Sequence, residues 1–300
     1  MTVDPASHPE RRSAGVLEEF TTSLRSRLPV NVAQVRQISP FRYPGGKTWL
    51  VPVAREWLQM IGRPKVFLEP FAGGAVIGLT AAAERLAEHV VLVELDDDVA
   101  AVWQVLIHGS DRSVKILSNK ILRFEVTLDN VREVLDRTPN SVVDKAFRTI
   151  VKNRCQRGGI MAPGAGLVKT GEAGRGLASR WYPETLVKRF DAIRAFRDRI
   201  SFEQGDAFEA IRSHPGATMF VDPPYTAAGK RAGSRLYTHT TLDHEQLFAD
   251  VARFAGPALL TYDDTPEVRE LADRYNFQVG NVAMKSTHHA VMHELTIFKN

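Results

Sequence analysis

From Lys65 onward, short apolar runs alternate with stretches of helical periodicity. Residues 66–69 and 90–94 fit buried strands, and residues 76–86 fit the helix that connects them. Because such crossovers are right-handed, the two strands are expected to be parallel and adjacent in one sheet. Strands that alternate with helices in this way are typical of an α/β fold built around a mainly parallel sheet.

This alternation is interrupted once. After a helix predicted for residues 97–107, only helical patterns are found, around a loop rich in glycine, until residue 200. The helices predicted in this region are residues 130–137, 141–154 and 183–197. The alternation then resumes, with strands predicted for residues 200–203, 217–221, 258–262, 277–284 and 292–298. Because a short loop joins the last two strands, they are expected to form a hairpin that brings one antiparallel strand into the sheet.

These patterns divide the chain into a larger domain and an insertion. The larger, catalytic domain is predicted from residues 38–109 and 200–300, and the insertion from residues 110–199. Residues 1–37 are largely polar and contain one weakly helical stretch at residues 16–28. We therefore expect an N-terminal extension that is partly disordered.

The basic residues are unevenly distributed. The chain carries a formal net charge of +4, but residues 148–199 alone hold 12 basic and 4 acidic side chains. Clustered Lys and Arg favour a polyanion partner, because phosphate binding releases counterions, and a solvated basic face is the alternative. The single cysteine, Cys155, excludes an internal disulfide, and no apolar run is long enough to span a bilayer. We therefore expect a cytoplasmic protein with no contact with a membrane.

A glycine turn follows the first predicted strand. Residues 69–75 read Glu-Pro-Phe-Ala-Gly-Gly-Ala and open a helix, which is where α/β sheets bind their ligands. Glu94 ends the next strand, twenty residues beyond Gly74, and is placed to accept hydrogen bonds from both hydroxyls of a ribose. The pair indicates a cofactor that contains adenosine. A nicotinamide oxidoreductase is an alternative, although the turn lacks the Gly-x-Gly-x-x-Gly pattern.

A second glycine turn lies upstream. Residues 41–47, Phe-Arg-Tyr-Pro-Gly-Gly-Lys, precede a helix predicted for residues 48–60. The free amides at the start of this helix and the ammonium of Lys47 could hold a ligand carboxylate, and an aromatic face could attract a sulfonium. A capped helix with core aromatics would give the same pattern.

The tetrapeptide Asp222-Pro223-Pro224-Tyr225 follows an apolar strand. Its two prolines end the strand and fix φ, so the turn is stiff. An exocyclic amine such as adenine N6 is a poor nucleophile because its lone pair is delocalised into the ring. Acceptors on Asp222 and on the Pro223 carbonyl would free this lone pair, and Tyr225 would stack on a base flipped from a duplex. Alone, the tetrapeptide indicates an amino-group methyltransferase acting on adenine, cytosine or glutamine; the turn at residues 43–47 favours adenine.

In these motifs the chain resembles the Dam-like adenine-specific DNA methyltransferases. The resemblance covers roughly residues 38–300 and rests on Glu94 and on the segments 43–47, 69–74, 153–154, 158–160, 222–225 and 243–245. It implies a seven-stranded Rossmann-like methyltransferase sheet, S-adenosylmethionine as cofactor, and N6 of a flipped adenine in double-stranded DNA as methyl acceptor. It also implies that the mainly helical insertion is a target-recognition domain and that Asp206 contacts the adenine of the cofactor.

The expected site residues follow from the motifs and from the resemblance. Catalysis is assigned to Asp222, Pro223, Pro224 and Tyr225. Cofactor binding is assigned to Tyr43, Gly45, Gly46, Lys47, Glu69, Pro70, Phe71, Ala72, Gly73, Gly74, Glu94, Leu95, Asp206, Ala207 and Asp222. Nucleic-acid binding is assigned to Arg154, Arg157, Lys169, Arg175, Arg180, Lys230, Arg231 and Arg235. No metal is expected, because His288, His289 and His293 lack matching acid or cysteine spacing.

Two further functions stay open at this point. RNA methylation at adenine would use the same tetrapeptide, since the basic insertion does not by itself distinguish the two polymers. A non-catalytic nucleic-acid-binding protein with a methyltransferase core is the other alternative, although Asp222, Tyr225 and Glu94 are all present. The resemblance favours a site-specific DNA adenine methyltransferase located beside the nucleoid, with cognate restriction or defence proteins as partners.

Overall fold

The computed structural model describes residues 9–42, 46–162, 164–171, 174–224, 242–285 and 291–300. Its α-helices are α1 Pro9–Leu24, α2 Val51–Met60, α3 Val76–Ala83, α4 Asp97–Trp103, α5 Asp111–Arg123, α6 Leu128–Asp136, α7 Val142–Cys155, α8 Pro183–Arg194, α9 Ala207–Ser213, α10 His244–Arg253 and α11 Pro266–Arg274. Its strands are β1 Val66–Glu69, β2 His89–Glu94, β3 Ile200–Gln204, β4 Thr218–Val221, β5 Ala258–Asp263, β6 Gln278–Lys285 and β7 Val291–Lys299.

The strands form one seven-stranded sheet in the order β3-β2-β1-β4-β5-β7-β6. The pairs β1 with β2, β2 with β3, β1 with β4 and β4 with β5 are parallel. Strand β7 is antiparallel to both of its neighbours, β5 and β6. The predicted α/β fold, with a mostly parallel Rossmann-like sheet and an antiparallel C-terminal hairpin, is confirmed.

The strands β1, β2 and β4 are almost continuously apolar because core layers cover both faces of the sheet there. Successive side chains in a strand point to opposite faces, so Phe67 packs in one core layer and Leu68 in the other. The first layer contains Trp57 of α2, and the second contains Phe248 of α10. Continuous apolar runs of this kind are what a parallel sheet buried on both faces requires.

The N-terminal segment contains the helix α1, which packs on the sheet at its β6 edge. Leu17 and Leu24 are buried, and the ring of Phe20 meets that of Phe298 edge-on with centroids 5.6 Å apart. The helix starts before the weakly helical stretch predicted at residues 16–28 and ends before its last residue. From Leu17 onward this segment therefore contributes to the core.

The insertion carries the helices α5 to α8. Three of them begin at side-chain caps, in which Ser110, Thr127 and Ser141 each accept a hydrogen bond from a backbone N–H of the first turn. The helix predicted for residues 97–107 is divided, because α4 ends at Trp103 and a π-helical turn, Gln104–His108, follows. Helix α7 joins the insertion to the sheet domain, since Arg148 forms an ion pair of 2.9 Å with Asp98 of α4.

The helix predicted for residues 48–60 is also divided. A 3-10 turn, Lys47–Leu50, precedes α2, and Pro52 lies in the first turn of α2, where its missing N–H is tolerated. Among the described helices none is long and apolar enough to cross a membrane.

Candidate active site

The predicted site motifs meet at one edge of the sheet. Strands β1, β2, β3 and β4 are parallel, so their carboxyl ends lie together at the edge where open α/β sheets bind ligands. The glycine turn follows β1, Glu94 ends β2, Asp206 follows β3, and Asp222 follows β4. Residues separated by more than a hundred positions in the chain are therefore neighbours at this edge.

The glycine turn after β1 is held by backbone and side-chain contacts. The amide of Ala72 donates to the carbonyl of Val93 at 2.9 Å, and the indole of Trp103 donates to the carbonyl of Gly73 at 3.1 Å. Gly73 and Ala75 have positive φ values of 45° and 49°, in the left-handed region. The turn is therefore fixed in a sharply bent conformation next to β2.

Glu94 lies beside this turn and accepts two backbone hydrogen bonds. Its Oε2 accepts from the amide of Gly73 and its Oε1 from the amide of Asp96, each at 2.8 Å. A carboxylate offers about four lone-pair positions, so both oxygens keep capacity for further donors. Burial raises the pKa of Glu94 to about 7, against the lowering effect of its backbone hydrogen bonds.

The end of β3 is tied to Glu94. The amide of Gly205 donates to the carbonyl of Glu94 at 3.1 Å, and Asp206 caps α9 by accepting from the amides of Phe208 and Glu209 through Oδ1. Leu95, beside Glu94, is 44% exposed. Two carboxylates and an exposed apolar side chain thus lie together at the ends of β2 and β3.

Three other predicted cofactor residues are buried: Pro70, Ala72 and Ala207. Glu69 is also buried, at 3% exposed, and its Oε2 accepts from the amide of Gly78 in α3 at 2.7 Å. Burial raises the pKa of Glu69 well above its ordinary value, and the nearby charge of Asp222 raises it further. Glu69 therefore joins the turn to α3, and almost none of its surface is left for a ligand.

Asp222, which follows β4, is anchored by contacts to its Oδ1. Its Oδ1 lies 3.0 Å from the ammonium of Lys47 and accepts a hydrogen bond of 3.0 Å from the hydroxyl of Thr261 in β5. The side chain is 26% exposed, whereas Thr261 is fully buried. Pro223 is buried and Pro224 half-buried, and Tyr225 lies outside the described residues. The Asp222 carboxylate is thus held by Lys47 and Thr261 and is still accessible to solvent.

Lys47 lies between two protein carboxylates. Its Nζ is 3.0 Å from Asp222 Oδ1 and 3.1 Å from Glu294 Oε1, and the lysine and glutamate side chains are 6% and 3% exposed. Both of these contacts are to protein carboxylates, and the role of Lys47 in holding a ligand carboxylate stays a prediction. Gly46, beside Lys47, is exposed.

A second acidic motif named by the resemblance lies on α10. Asp243 caps this helix, and the ring of His244 lies 3.0 Å from the hydroxyl of Tyr262. Tyr262 is buried in β5, and burial, with the charge of Asp222, raises its pKa well above the ordinary value. The start of α10 therefore packs beside the strand that supports Asp222.

The loop that leads to Lys47 is fastened to the insertion. Asn153 of α7 accepts from the amide of Arg42 at 2.9 Å and donates to the carbonyls of Arg42 and Gly159 at 2.8 and 3.0 Å. Gly159 has φ +75°, and a Cβ there would lie 2.3 Å from the Arg42 carbonyl oxygen. The insertion and the segment before Lys47 thus touch backbone to backbone. Tyr43 and Gly45 lie outside the described residues.

Arg154, predicted to contact nucleic acid, is buried. It is 5% exposed and its guanidinium donates to the carbonyl of Pro40. Burial, with the nearby charges of Arg189, Arg42 and Arg180, lowers its pKa to about 9. The prediction for Arg154 is corrected accordingly: this side chain supports the loop before Lys47 and has no surface to offer a phosphate.

The other basic residues of the insertion divide into two groups. Arg157 and Lys169 are exposed at the base of a loop, which is closed by a bridge between Gln156 and Leu167. Arg175 stacks over the ring of Tyr182 at 5.0 Å, and burial lowers the pKa of the half-buried Arg180. Lys230, Arg231 and Arg235 lie outside the described residues.

The part of the chain that the structure describes contains no group of three or more His, Cys, Asp or Glu side chains that could hold a metal ion. His288 and His289 lie outside it, and His293 is exposed. Cys155 is buried, and burial raises the pKa of its thiol to about 12.

Two residues that touch this cluster were not predicted from the sequence. Thr261 lies on β5, which pairs with β4, and contacts Asp222, whereas Glu294 lies on the next strand, β7, and contacts Lys47. Glu294 could have been recognised from its position in the strand. Alternate residues of a strand share a face, so Glu294 lies on the same face as the buried Thr296. An acidic residue on a buried face of a strand indicates a polar partner inside the protein.

Comparison with known sequences identifies one family. The sequence model of the D12 class N6 adenine-specific DNA methyltransferases matches residues 43–287. This span includes the glycine turn after β1, Glu94, the insertion and Asp222. No curated protein matches the chain by sequence.

Several solved methyltransferase structures are similar to the chain. A precorrin-6Y C5,15-methyltransferase from Geobacter metallireducens is 11% identical, with 83% of this chain and 85% of that one covered and a TM-score of 0.36. An S-adenosylmethionine-dependent methyltransferase from Agrobacterium tumefaciens is 11% identical, with 84% and 60% covered and a TM-score of 0.41. An rRNA methyltransferase from Streptomyces viridochromogenes is 12% identical, with 90% and 92% covered and a TM-score of 0.37. The family match is therefore the comparison on which the function rests.

Proposed function

Because the chain belongs to the D12 class N6 adenine-specific DNA methyltransferase family, we propose that Asp222 and the carbonyl of Pro223 orient the adenine amino group for methyl transfer. Membership makes the protein an enzyme that methylates N6 of adenine in DNA with S-adenosylmethionine. The observation that carries the proposal is the placement of Asp222, whose Oδ1 is anchored by Lys47 and Thr261 while its side chain is 26% exposed.

The proposed chemistry needs acceptors that do not move. The two hydrogens of N6 would donate to the Asp222 carboxylate and to the Pro223 carbonyl, which draws the nitrogen toward a tetrahedral geometry and frees its lone pair. A fixed acceptor costs little reorganisation when the reaction occurs. Bound S-adenosylmethionine supplies a methyl group on a sulfonium, an electrophile with its own leaving group. The protein therefore contributes mainly position and electrostatics.

We propose that the cofactor lies along the carboxyl ends of β1, β2 and β3. Glu94 would accept from the two ribose hydroxyls with the capacity its backbone contacts leave, and Leu95 would cover one face of the adenine. Asp206, whose Oδ1 caps α9, would accept from the adenine amino group. The glycine turn after β1 would face the amino-acid part of the cofactor.

DNA is the substrate that family membership gives, and the insertion is proposed to be the target-recognition domain. We assign phosphate contacts to Arg157 and Lys169, which are exposed at the two ends of one bridged loop. The proposal is supported by Gly159, two residues from Arg157, because it touches the segment that leads to Lys47 and so to Asp222. A base must leave the stack to reach Asp222, and a cation beside the site would hold the flanking phosphates.

A DNA substrate also suggests a partner and a location. We propose that the partner is a cognate nuclease of a restriction or defence system that reads the same site, and that the protein lies beside the nucleoid. Co-purification of the full chain from its own cells with and without nuclease treatment tests both, because a protein partner stays bound after the treatment whereas association with the nucleoid is lost.

Substitution of Asp222 tests the proposed function. Asp222→Asn and Asp222→Ala should lower kcat for labelled methyl transfer to duplex DNA by on the order of a hundredfold or more, whereas the Kd for S-adenosylmethionine changes far less. Asp273→Ala, the same change on the exposed face of α11, is the matched control and should keep wild-type kcat. Wild-type turnover in both Asp222 variants would refute the role given to this carboxylate.

A further inference from the structure

Glu294 is a buried acid that the proposed chemistry does not use. It lies on β7, is 3% exposed, and its Oε1 is 3.1 Å from the ammonium of Lys47. The same ammonium lies 3.0 Å from Asp222 Oδ1. We propose that Glu294 is a positioning residue for methyl transfer, which acts on Asp222 through Lys47. This inference rests on the proposed role of Asp222.

The first step of the argument is geometric. A lysine ammonium is a compact charge on a flexible four-carbon stem, so one ion pair does not fix where it donates. A second carboxylate on a strand fixes the position of the ammonium, because β7 is held between β5 and β6 by strand pairing. Glu294 therefore sets the position of Nζ, and Nζ with the Thr261 hydroxyl sets the position of Asp222 Oδ1.

The second step is electrostatic. A carboxylate removed from water requires a partner, and an unpaired buried charge is strongly destabilising. Lys47 supplies one positive charge to two carboxylates, so the attraction on Asp222 is shared with Glu294. Without the charge of Glu294, the attraction of the Lys47 ammonium would fall on Asp222 alone, which would weaken Asp222 as an acceptor. An acceptor that keeps its negative charge binds an amino hydrogen more strongly.

A purely structural ion pair would have a different signature. Removal of such a pair lowers the free energy of unfolding and affects the binding of both substrates through the loss of folded protein. A positioning residue changes kcat while the Kd for S-adenosylmethionine is retained, because Glu94 and the glycine turn lie on other strands.

Two variants separate the charge from the length of the side chain. Glu294→Gln keeps an oxygen for Lys47 but removes the charge, and Glu294→Asp keeps the charge at a greater distance. Glu270→Gln, the same chemical change on the exposed face of α11, is the matched control. We expect kcat to fall about tenfold in Glu294→Gln and less in Glu294→Asp, with the cofactor Kd within about twofold of wild type and full activity in the control.

The measurement is single-turnover methyl transfer to duplex DNA, together with cofactor Kd and thermal unfolding. If Glu294→Gln does not fold, Glu294→Asp carries the test, with a lower kcat and an unchanged cofactor Kd as the expected result. Wild-type kcat in the folded variants, or a loss that lies in cofactor affinity, would overturn the inference.

A double-mutant comparison tests the route through Asp222. In an Asp222→Asn background, Glu294→Gln should lower kcat by much less than in the wild-type background, since the residue on which it acts has lost its charge. An equal loss in both backgrounds would overturn the inference. Turnover that survives in Asp222→Ala refutes the proposed function itself, whereas loss there with wild-type kcat in Glu294→Gln refutes only the part given to Glu294.

Discussion

The raised pKa of Glu94 predicts that cofactor affinity depends on pH near neutrality. Burial raises this pKa to about 7, and the proposed contact requires the ionised carboxylate, which accepts from both ribose hydroxyls. Below the pKa, a proton must leave Glu94 before the cofactor binds. The Kd should therefore increase by roughly tenfold for each pH unit below about 7 and level off above it.

The assay is calorimetric titration with S-adenosylmethionine between about pH 5.5 and about pH 8.5. Glu94→Gln provides the control, because it removes the titrating group and leaves the ionisable groups of the ligand unchanged. The amide would turn its NH2 toward the N–H of Gly73 or Asp96, so its affinity should be weak at every pH. A flat wild-type curve, or the same slope in wild type and variant, would refute the reasoning.

Acid unfolding caused by Glu94 cannot explain an increase in the cofactor Kd at low pH. A glutamate with a raised pKa in the folded state stabilises the fold fully below its ordinary pKa near 4.5, and this contribution is lost as the pH rises through about 7. The free protein therefore gains stability from Glu94 on acidification while its cofactor affinity falls. Stability and cofactor affinity therefore change in opposite directions with pH, so a weaker affinity at pH 6 has to come from the binding site.

Two further predictions concern the insertion. Gly159→Ala should lower the free energy of unfolding by about 1–3 kcal/mol and slow methyl transfer, because a Cβ would lie 2.3 Å from the Arg42 carbonyl oxygen. Gly164→Ala, also at positive φ but with open space around it, is the control in the same thermal and kinetic assays, and equal losses in both variants would refute the clash. Arg157→Ala and Lys169→Ala should each reduce the slope of log affinity for duplex DNA against log salt by about one. Arg253→Ala on α10 should leave the slope unchanged, and an unchanged slope in the first two variants would contradict their assignment.

The sheet could be predicted because its strands are buried on both faces. β1 has the bounds expected from the sequence, and β2 and β3 differ from the prediction by one residue. The element ends that differ are set by local chemistry that a periodicity does not report, such as Pro52 in the first turn of α2 and the π-helical turn after Trp103. The helix α1 was harder to locate because its partner, β6, lies at the other end of the chain.

The site could be predicted only where its residues follow strand ends. Glu94 ends β2 and Asp222 follows β4, so the topology alone brings them to one edge. Arg154 was misassigned because a count of charges does not tell which face of α7 is buried, and the residue beside it, Asn153, anchors the loop before Lys47. Thr261 and Glu294 depend on the pairing of β5 with β7, which no local pattern contains.

The contacts of Lys47 affect how the activity of Lys47 variants should be interpreted. Its place after a glycine turn suggests a ligand contact, yet its ammonium lies on Asp222 and Glu294. Asn153 of the insertion is hydrogen-bonded to Arg42, five residues before Lys47, so the insertion contacts the segment that precedes this cation. A loss of activity on Lys47 substitution therefore cannot be ascribed to cofactor binding without a separate measurement of Kd. Removal of this ammonium would leave Glu294 buried beside Asp222 with like charges, a change in the acceptor itself.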